Sequence, residues 1–221
     1  MASRRFKIKY KRLFIFLCIF VVFVIVLIKF FTLKITNIYV SGNNYISDQY
    51  IIELAKLENY PNAFFNFSDS IETRIEKDKY IKEVKVKKKD FTKIYIEVVE
   101  NRPLYFNEDN GKTVLLDGTE TSDKFDIPVL VNKIDESIYK EFLEKLSLID
   151  IDVMNLISEI SYKPNEVDDE LFIFTMRDGN YVQVNIDKFE SMNKYFDMVV
   201  QFKNHKGILY LDSGEYFKIL D

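Results

Sequence analysis

The hydrophobic pattern begins with one long apolar segment near the N-terminus. Sixteen consecutive apolar residues occupy positions 13–28, and the segment continues beyond Lys29 to residue 33. A helix over residues 13–33 is long enough to cross the ~30 Å hydrocarbon core of a bilayer. A cleaved secretory signal is the alternative, but the bulky residues that end the segment do not fit its small-residue cleavage site. The pattern therefore predicts a retained transmembrane helix.

The next segments are short and alternate between apolar and polar positions, with turn residues between them. Residues 34–102 predict, in order, a strand at 38–40, a short helix capped by Ser47, a helix behind the capping-box pair Asp69 and Glu72, and strands at 84–86 and 94–98. A hairpin-length loop joins the last two strands. The expected fold is an α+β unit, in which both helices cover one face of a three-stranded sheet.

Residues 103–221 predict a larger, mixed or antiparallel β domain with flanking helices. Strands are expected at 113–116, around Leu130, at 157–162, 171–176 and 181–186, and in a final hairpin of 207–211 and 215–220 around Asp212-Ser213-Gly214. Helices are expected at 136–148 and 188–202. The second should bury Phe189, Met192, Phe196, Val199 and Val200. The chain is thus divided into a tail (1–12), a transmembrane helix (13–33) and two domains (34–102 and 103–221).

Charge is distributed unevenly along the chain. Residues 1–34 contain eight Lys or Arg and no acid, and six of these basic residues precede the apolar segment. This bias predicts a cytoplasmic N-terminus and an ectodomain, residues 34–221, on the other side of the membrane. Residues 35–221 carry 23 basic and 35 acidic side chains, a balance unsuited to nucleic acid or to adhesion to anionic lipid. The expected partners of the ectodomain are proteins.

The residue types that support catalysis are scarce. Cys18 and His205 are the only cysteine and histidine, and the six glycines form no phosphate-binding motif. We therefore expect no metal, no cofactor and no enzymatic activity. One alternative is a membrane-tethered cell-wall hydrolase that uses carboxylates of the loop 168–170. Another is an extracytoplasmic sensor that binds a small ligand.

Lysines are concentrated on the predicted hairpin of the first domain. Lys85, Lys87 and Lys89 alternate along one strand, with further lysines at positions 82, 88 and 93. Such a strip is typical of the solvated face of an edge strand, where charge discourages unwanted pairing. It is also a secondary candidate for a partner-binding surface, because it contrasts with the acidic remainder of the ectodomain.

The order of several short segments resembles a known family. They are Ile38-Tyr39-Val40-Ser41-Gly42-Asn43, Ile94 to Pro103, Leu115-Leu116-Asp117-Gly118, Ile127-Pro128-Val129-Leu130, Met176-Arg177-Asp178-Gly179 and Leu209 to Gly214. Together with the basic N-terminus and single anchor, they are similar to the bacterial cell division family of DivIB and FtsQ. In that family a polypeptide-transport-associated (POTRA) domain precedes a β domain. The chain departs from the usual pattern in two turns, at residues 90–92 and 131–132.

The resemblance implies a non-enzymatic, single-pass divisome scaffold in the cell membrane at the division septum. It implies partners that span the membrane, namely DivIC (FtsB-like) and FtsL-like proteins, with a septal penicillin-binding protein as a further candidate. It also implies a link to septal peptidoglycan synthesis. Carried over by position, the partner site includes Leu211, Ser213, Lys218 and Ile219. Phe217 is added on physical grounds, because the last strand is expected at a sheet edge and is unusually apolar.

Overall fold

A computed structural model of the chain describes residues 10–202 and 205–220. The basic residues at positions 4, 5, 7 and 9, and the greater part of the predicted tail, lie outside the described residues. The chain divides into two compact units, residues 1–100 and 101–221. The assignment of cellular compartments to parts of the chain stays a prediction.

The apolar segment forms one helix, α1 (Tyr10–Phe31), of 22 residues. None of its residues is buried, so apolar side chains are exposed all around it. A helix of this length and composition is suited to a bilayer, where lipid covers every face. Within the described residues it is the one helix long and apolar enough to span a membrane.

The first unit continues with the predicted order of elements. These are β1 (Asn37–Ser41), α2 (Asp48–Leu54), α3 (Ser68–Ile75), β2 (Ile81–Lys89) and β3 (Lys93–Glu100). The sheet has the order β1-β3-β2, with β1 parallel and β2 antiparallel to the central β3. Ile51 of α2 and Ile71 and Ile75 of α3 are fully buried, as are the inward residues of β3, Ile94 and Ile96. The predicted α+β unit is confirmed.

Local contacts explain where these helices begin. The Ser47 side chain accepts the N–H of Tyr50, as the predicted cap requires. The prediction of a capping box at Asp69 and Glu72 is wrong, because α3 already begins at Ser68 and Asp69 lies inside its first turn. The Glu72 carboxylate instead accepts the backbone N–H of Val86, at 2.6 Å, on the outer side of β2. Glu72 thus covers part of that sheet edge.

The second unit contains one nine-stranded mixed sheet. Its strands are β4 (Pro103–Asn107), β5 (Lys112–Leu115), β6 (Glu120–Thr121), β7 (Val129–Leu130), β8 (Ile157–Tyr162), β9 (Leu171–Met176), β10 (Tyr181–Asn185), β11 (Gly207–Tyr210) and β12 (Tyr216–Ile219). Their order is β12-β11-β10-β9-β8-β7-β4-β5-β6. The helices α4 (Glu136–Ser147) and α5 (Ile151–Leu156) lie between β7 and β8 in sequence. The α+β class predicted for the whole chain is confirmed.

The predicted helix 188–202 has a different geometry. A 3₁₀ helix runs over Ile186–Lys194, followed by α6 (Tyr195–Val199) and a 3₁₀ turn at Val200–Phe202. With about three residues per turn, a 3₁₀ helix presents every third residue to the same side. The buried residues are therefore Ile186, Phe189, Met192 and Tyr195, whereas Phe196 and Val200 are about half exposed and Val199 is partly buried. The prediction that Phe196 and Val200 are buried was wrong, because it assumed an α-helical period.

Candidate partner-binding edge

The strand β12 lies at one edge of the nine-stranded sheet, and among the strands that the structure describes it pairs with β11 alone. The two strands are antiparallel, and their opposed residues are Gly207 and Ile219, Ile208 and Lys218, Leu209 and Phe217, and Tyr210 and Tyr216. The turn between them is fixed at Asp212. The Asp212 carboxylate accepts the Gln183 side-chain amide at 3.0 Å, and its carbonyl accepts the Lys188 ammonium at 2.9 Å. The edge strand is therefore held in a defined register.

Backbone hydrogen bonding along β12 alternates between the partner strand and the outer edge. The Leu220 N–H donates to the Lys206 carbonyl at 2.8 Å. Because the pattern alternates along an antiparallel strand, the backbone N–H and C=O groups of the even-numbered residues point toward β11. The N–H and C=O groups of Phe217 and Ile219 consequently point outward. These are the groups that an added strand would pair with.

Two of the five predicted partner-binding residues help to close the domain core. Leu211 is 1% exposed and belongs to the buried cluster. Phe217 is partly buried, and its ring stacks on Phe202 with a centroid distance of 4.6 Å. The same ring covers Gly207, where an added Cβ would come within 2.6 Å of it. Leu211 is therefore not available at the surface, and Phe217 is available only in part.

The remaining predicted residues, Ser213, Lys218 and Ile219, are exposed. The structure adds a stacked pair that sequence reasoning missed, Tyr210 and Tyr216, whose ring centroids are 4.8 Å apart. Half of the Tyr216 surface is exposed, next to Lys218 on the same face of the strand. The signal in the sequence was the equal distance of the two tyrosines from the turn at residue 213.

The lysine strip of the first unit is divided by the structure. Lys85, Lys87 and Lys89 are exposed on the outer face of β2, and the Lys89 ammonium lies 4.8 Å from the centre of the Tyr95 ring. Lys88 points to the opposite face, where its ammonium donates to the carbonyls of Ala63 and, at 3.0 Å, of Asn66. Burial lowers the pKa of Lys88. Lys88 is therefore separated from the candidate surface that includes Lys85, Lys87 and Lys89.

The acidic loop proposed for a hydrolase has structural partners. The Asp168 carboxylate accepts the Glu170 N–H at 2.9 Å and the Asn185 side-chain amide at 2.8 Å. Burial raises the pKa of Glu170, and repulsion from Glu141 and Asp169 raises it further. In the part of the chain that the structure describes, no group of three or more His, Cys, Asp or Glu side chains is arranged to hold a metal ion.

Comparison with known proteins gives a family match in the first unit and relatives that align over most of the chain. Residues 33–101 match the POTRA domain of the FtsQ type. The cell division protein DivIB of Geobacillus kaustophilus is 27% identical over 94% of this chain and 84% of its own length. DivIB of Bacillus subtilis is also 27% identical, over 94% of this chain and 83% of its own length. A solved structure of the major extracytoplasmic domain of DivIB from Geobacillus stearothermophilus is 24% identical, with a TM-score of 0.37, over 48% of this chain and 97% of the other.

The chain is a single-pass membrane protein that carries an FtsQ-type POTRA domain and a larger mixed-sheet domain outside the membrane. The resemblance to the DivIB/FtsQ family of bacterial cell division proteins, predicted from the sequence, is confirmed by the FtsQ-type POTRA match and by DivIB relatives that are 27% identical over most of the chain.

Proposed function

We propose that this chain is a non-enzymatic scaffold of the divisome. In this proposal it recruits or stabilises DivIC- and FtsL-like partners at the septum and connects them to septal peptidoglycan synthesis. Its N-terminus is cytoplasmic, so a tag placed there should resist protease added to sealed cells while the ectodomain is degraded. A septal penicillin-binding protein is a further candidate partner. The relationship to DivIB supports a role in division, and the partner site is argued from the geometry of β12.

The observation that carries the proposal is the open edge of β12. The N–H and C=O groups of Phe217 and Ile219 point away from β11, and an extended segment of a partner could pair with them. Exposed apolar and aromatic groups surround this edge. Ile219 is 39% exposed, and Tyr216 and Leu220 are exposed to a similar extent. Main-chain pairing supplies affinity in such an arrangement, and the side chains supply selectivity.

A second feature that supports β12 is the contrast with two other edge strands, β2 and β6. The Val86 N–H on the edge strand β2 is occupied by the Glu72 carboxylate. The opposite edge strand of the large sheet, β6, contains only two residues, Glu120 and Thr121. Covered or short edges resist strand addition. Within the large sheet, the four-residue strand β12 therefore offers a longer template than β6.

The test is a pull-down of a DivIC-like partner by the full chain in nanodiscs. Ile219→Pro removes an outward N–H without breaking a bond to β11, so we expect binding to fall about tenfold or more. Ile219→Thr keeps the N–H and the branched Cβ, and it isolates the side-chain contribution. Exchange of Lys85, Lys87 and Lys89 for Glu provides a contrast at the secondary surface and should leave this binding unchanged.

A thermal melt of each variant accompanies the pull-down. Ile219→Pro should unfold at nearly the wild-type temperature, because the position is at an edge. If this folded variant binds the partner as tightly as the wild type, strand addition at β12 is excluded. If the lysine exchange abolishes binding instead, the partner surface lies on the POTRA domain.

A further inference from the structure

The membrane helix is joined to the POTRA domain by hydrogen bonds. The Asn62 side-chain amide donates to the carbonyl of Phe31, the last residue of α1. The Ala63 N–H donates to the Leu33 carbonyl at 2.7 Å, and the Ile35 N–H donates to the Pro61 carbonyl at 3.0 Å. The loop before α3 is thereby held at the end of α1.

Aromatic rings cluster around this joint. Phe64 lies 5.1 Å from Phe30 and 4.7 Å from Phe31, and Phe91 lies 6.3 Å from Phe30, measured between ring centroids. Phe65 stacks beside Phe31 at 6.1 Å. We call the set of Phe30, Phe31, Phe64, Phe65, Phe67 and Phe91 the aromatic collar. An open cavity of about 390 Å³ lies within it, lined by four of these rings and by Leu33, Ala63, Ser68, Lys88 and Asp90.

Three rings of the collar are unusually exposed for such large apolar groups. Phe65 is 63% exposed, Phe67 is 58% exposed and Phe91 is 68% exposed. Clusters of exposed apolar side chains on a folded domain mark a surface that is covered in the working protein. A single exposed apolar residue is common on a protein surface, but these three rings are grouped where α1 meets the POTRA domain.

The turn between β2 and β3 has an unusual backbone at the same place. Asp90 and Phe91 have φ angles of 52° and 61°, in the left-handed region. This conformation costs about 1–2 kcal/mol for a residue with a side chain. The turn nevertheless places a phenylalanine there, and its ring contributes little to the core. Tight hairpin turns often require positive φ, and Gly, Asn or Asp is the usual residue there, so the phenylalanine is the unusual feature of this turn.

The position of the collar relative to α1 indicates what covers it. From Leu13 to Phe31 the helix rises about 28 Å at 1.5 Å per residue, close to the ~30 Å hydrocarbon thickness. Phe30 and Phe31 therefore fall at the outer boundary of the hydrocarbon when α1 spans the bilayer. The hydrogen bonds at Leu33 and Asn62 hold the remaining rings beside this last turn.

We propose that the aromatic collar is seated in the outer interfacial region of the lipid bilayer, and that phospholipid occupies its cavity. Aromatic rings are favoured at this depth, where apolar surface meets the headgroups. Lys29 lies in the last turn of α1 and Lys34 follows shortly after it, so both side chains are placed to reach the phosphates. The attraction is mainly apolar, because the ectodomain as a whole is acidic.

The proposal can be tested directly because the chain contains no tryptophan. A single Trp is introduced by Phe91→Trp or Phe65→Trp in the full chain, which is reconstituted into phosphatidylcholine nanodiscs. Val99→Trp is the matched control. Val99 is exposed on the same hairpin, about 25 Å along the strand from Phe91 at ~3.3 Å per residue. Emission is compared between ordinary lipid and lipid brominated high on its acyl chains.

We expect blue-shifted emission from both collar reporters and at least about twofold quenching by the brominated lipid. Val99→Trp should emit as in water and show no quenching. The proposal is overturned if a folded Phe65→Trp or Phe91→Trp chain emits as in water and is not quenched. Shielding that appears only after a partner membrane protein is added would equally overturn it, because the collar would then be a protein-binding surface.

Phe91→Gly provides a second, independent measurement. Glycine adopts positive φ without strain, so this change should not unfold the domain. It removes one ring from the interface, and we expect the quenching of a Trp at position 65 to decrease. If that quenching stays the same, Phe91 does not hold the domain against the lipid, and its place in the proposal is lost.

Discussion

Glu170 lies among like charges at the start of β9. Burial, followed by repulsion from Glu141, Asp169 and Asp187, raises its pKa above the ordinary value. The ionised form is thus less favourable in the folded protein than in the unfolded chain. The protonated carboxyl favours folding below the ordinary glutamate pKa of ~4.3, and this advantage disappears as the pH rises through the raised folded pKa.

We therefore expect Glu170→Gln to stabilise the second unit at pH 7, by about 0.5 kcal/mol, since the side chain is partly exposed. Thermal melts of the full chain in detergent at pH 4 and pH 7 measure the effect. The difference from the wild type should shrink at the lower pH. Glu166→Gln, in the exposed part of the same loop, controls for the loss of one negative charge. A variant less stable than the wild type at pH 7 would contradict the expectation.

Lys88 illustrates what alternation along a strand can predict about one residue. In β2 the odd-numbered lysines share the outer face, so the even position 88 belongs with Val84 and Val86 on the inner face. The sequence analysis treated all six lysines between positions 82 and 93 as one basic strip because they are close together in the chain. The period of two was enough to separate Lys88, but its carbonyl partners come from the distant loop at residues 63–66 and could not be predicted.

At the scale of elements, Glu100 fixes the segment that leads into α2. Its carboxylate accepts the backbone N–H groups of Asn44, Tyr45 and Ile46 at 2.9–3.0 Å. The residue is 8% exposed, at the end of β3. Three charge-assisted hydrogen bonds to backbone donors thus tie the N-terminal approach of a helix to the central strand.

Replacing Glu100 by Gln should destabilise the first unit by about 2 kcal/mol. The amide oxygen is a weaker acceptor than a carboxylate, and the amide nitrogen is a donor facing other donors. Denaturant unfolding of the full chain in detergent measures the loss. Glu97→Gln, at an exposed position of the same strand, is the control and should change stability by less than about 0.5 kcal/mol. Equal effects of the two substitutions would show that the three bonds contribute nothing.

The elements that sequence predicted well are those with a strong local signal. The strands β8 and β9 were predicted at the observed residues, because period-two alternation and turn residues delimit them. The two-residue strand β6 and the short helix α5 were missed, since neither is long enough to show a period. The 3₁₀ segment was predicted as α-helix, because Phe189 and Met192 fit both periods.

At the scale of the whole molecule, the order of strands in the large sheet could not be predicted from the sequence. The parallel neighbours β10 and β11 are separated by the 3₁₀ segment and α6, and β7 pairs in parallel with both β4 and β8. Such pairings depend on contacts between distant segments, which single-sequence patterns do not encode. The edge position of β12 was expected because it is the last strand. Leu211, which the resemblance placed in the partner site, is buried in the core.

The hydrogen-bonded joint at the end of α1 has a consequence for rotation about the membrane normal. The stretch between Phe31 and Asn37 contains no free linker, because Leu33, Ile35 and Thr36 all form backbone hydrogen bonds with residues 61–63 and 92 of the POTRA domain. Turning the helix about its own axis must therefore turn the POTRA domain by the same angle. The rotational orientation of α1 is therefore fixed relative to the POTRA domain. The face of α1 that contacts other transmembrane helices has a defined direction with respect to that domain.

One inserted alanine after Val22 should rotate Cys18 by about 100° relative to the domain. The native cysteine and a second one, introduced by Thr73→Cys, can carry spin labels in nanodiscs. We expect a narrow distance distribution that shifts by several Å, roughly a helix radius. The same insertion after Phe14 leaves Cys18 in phase and should give the original distance. A broad distribution, unaffected by either insertion, would mean that α1 rotates independently of the POTRA domain. A rotation of the helix in the membrane would then not be transmitted to the domain outside.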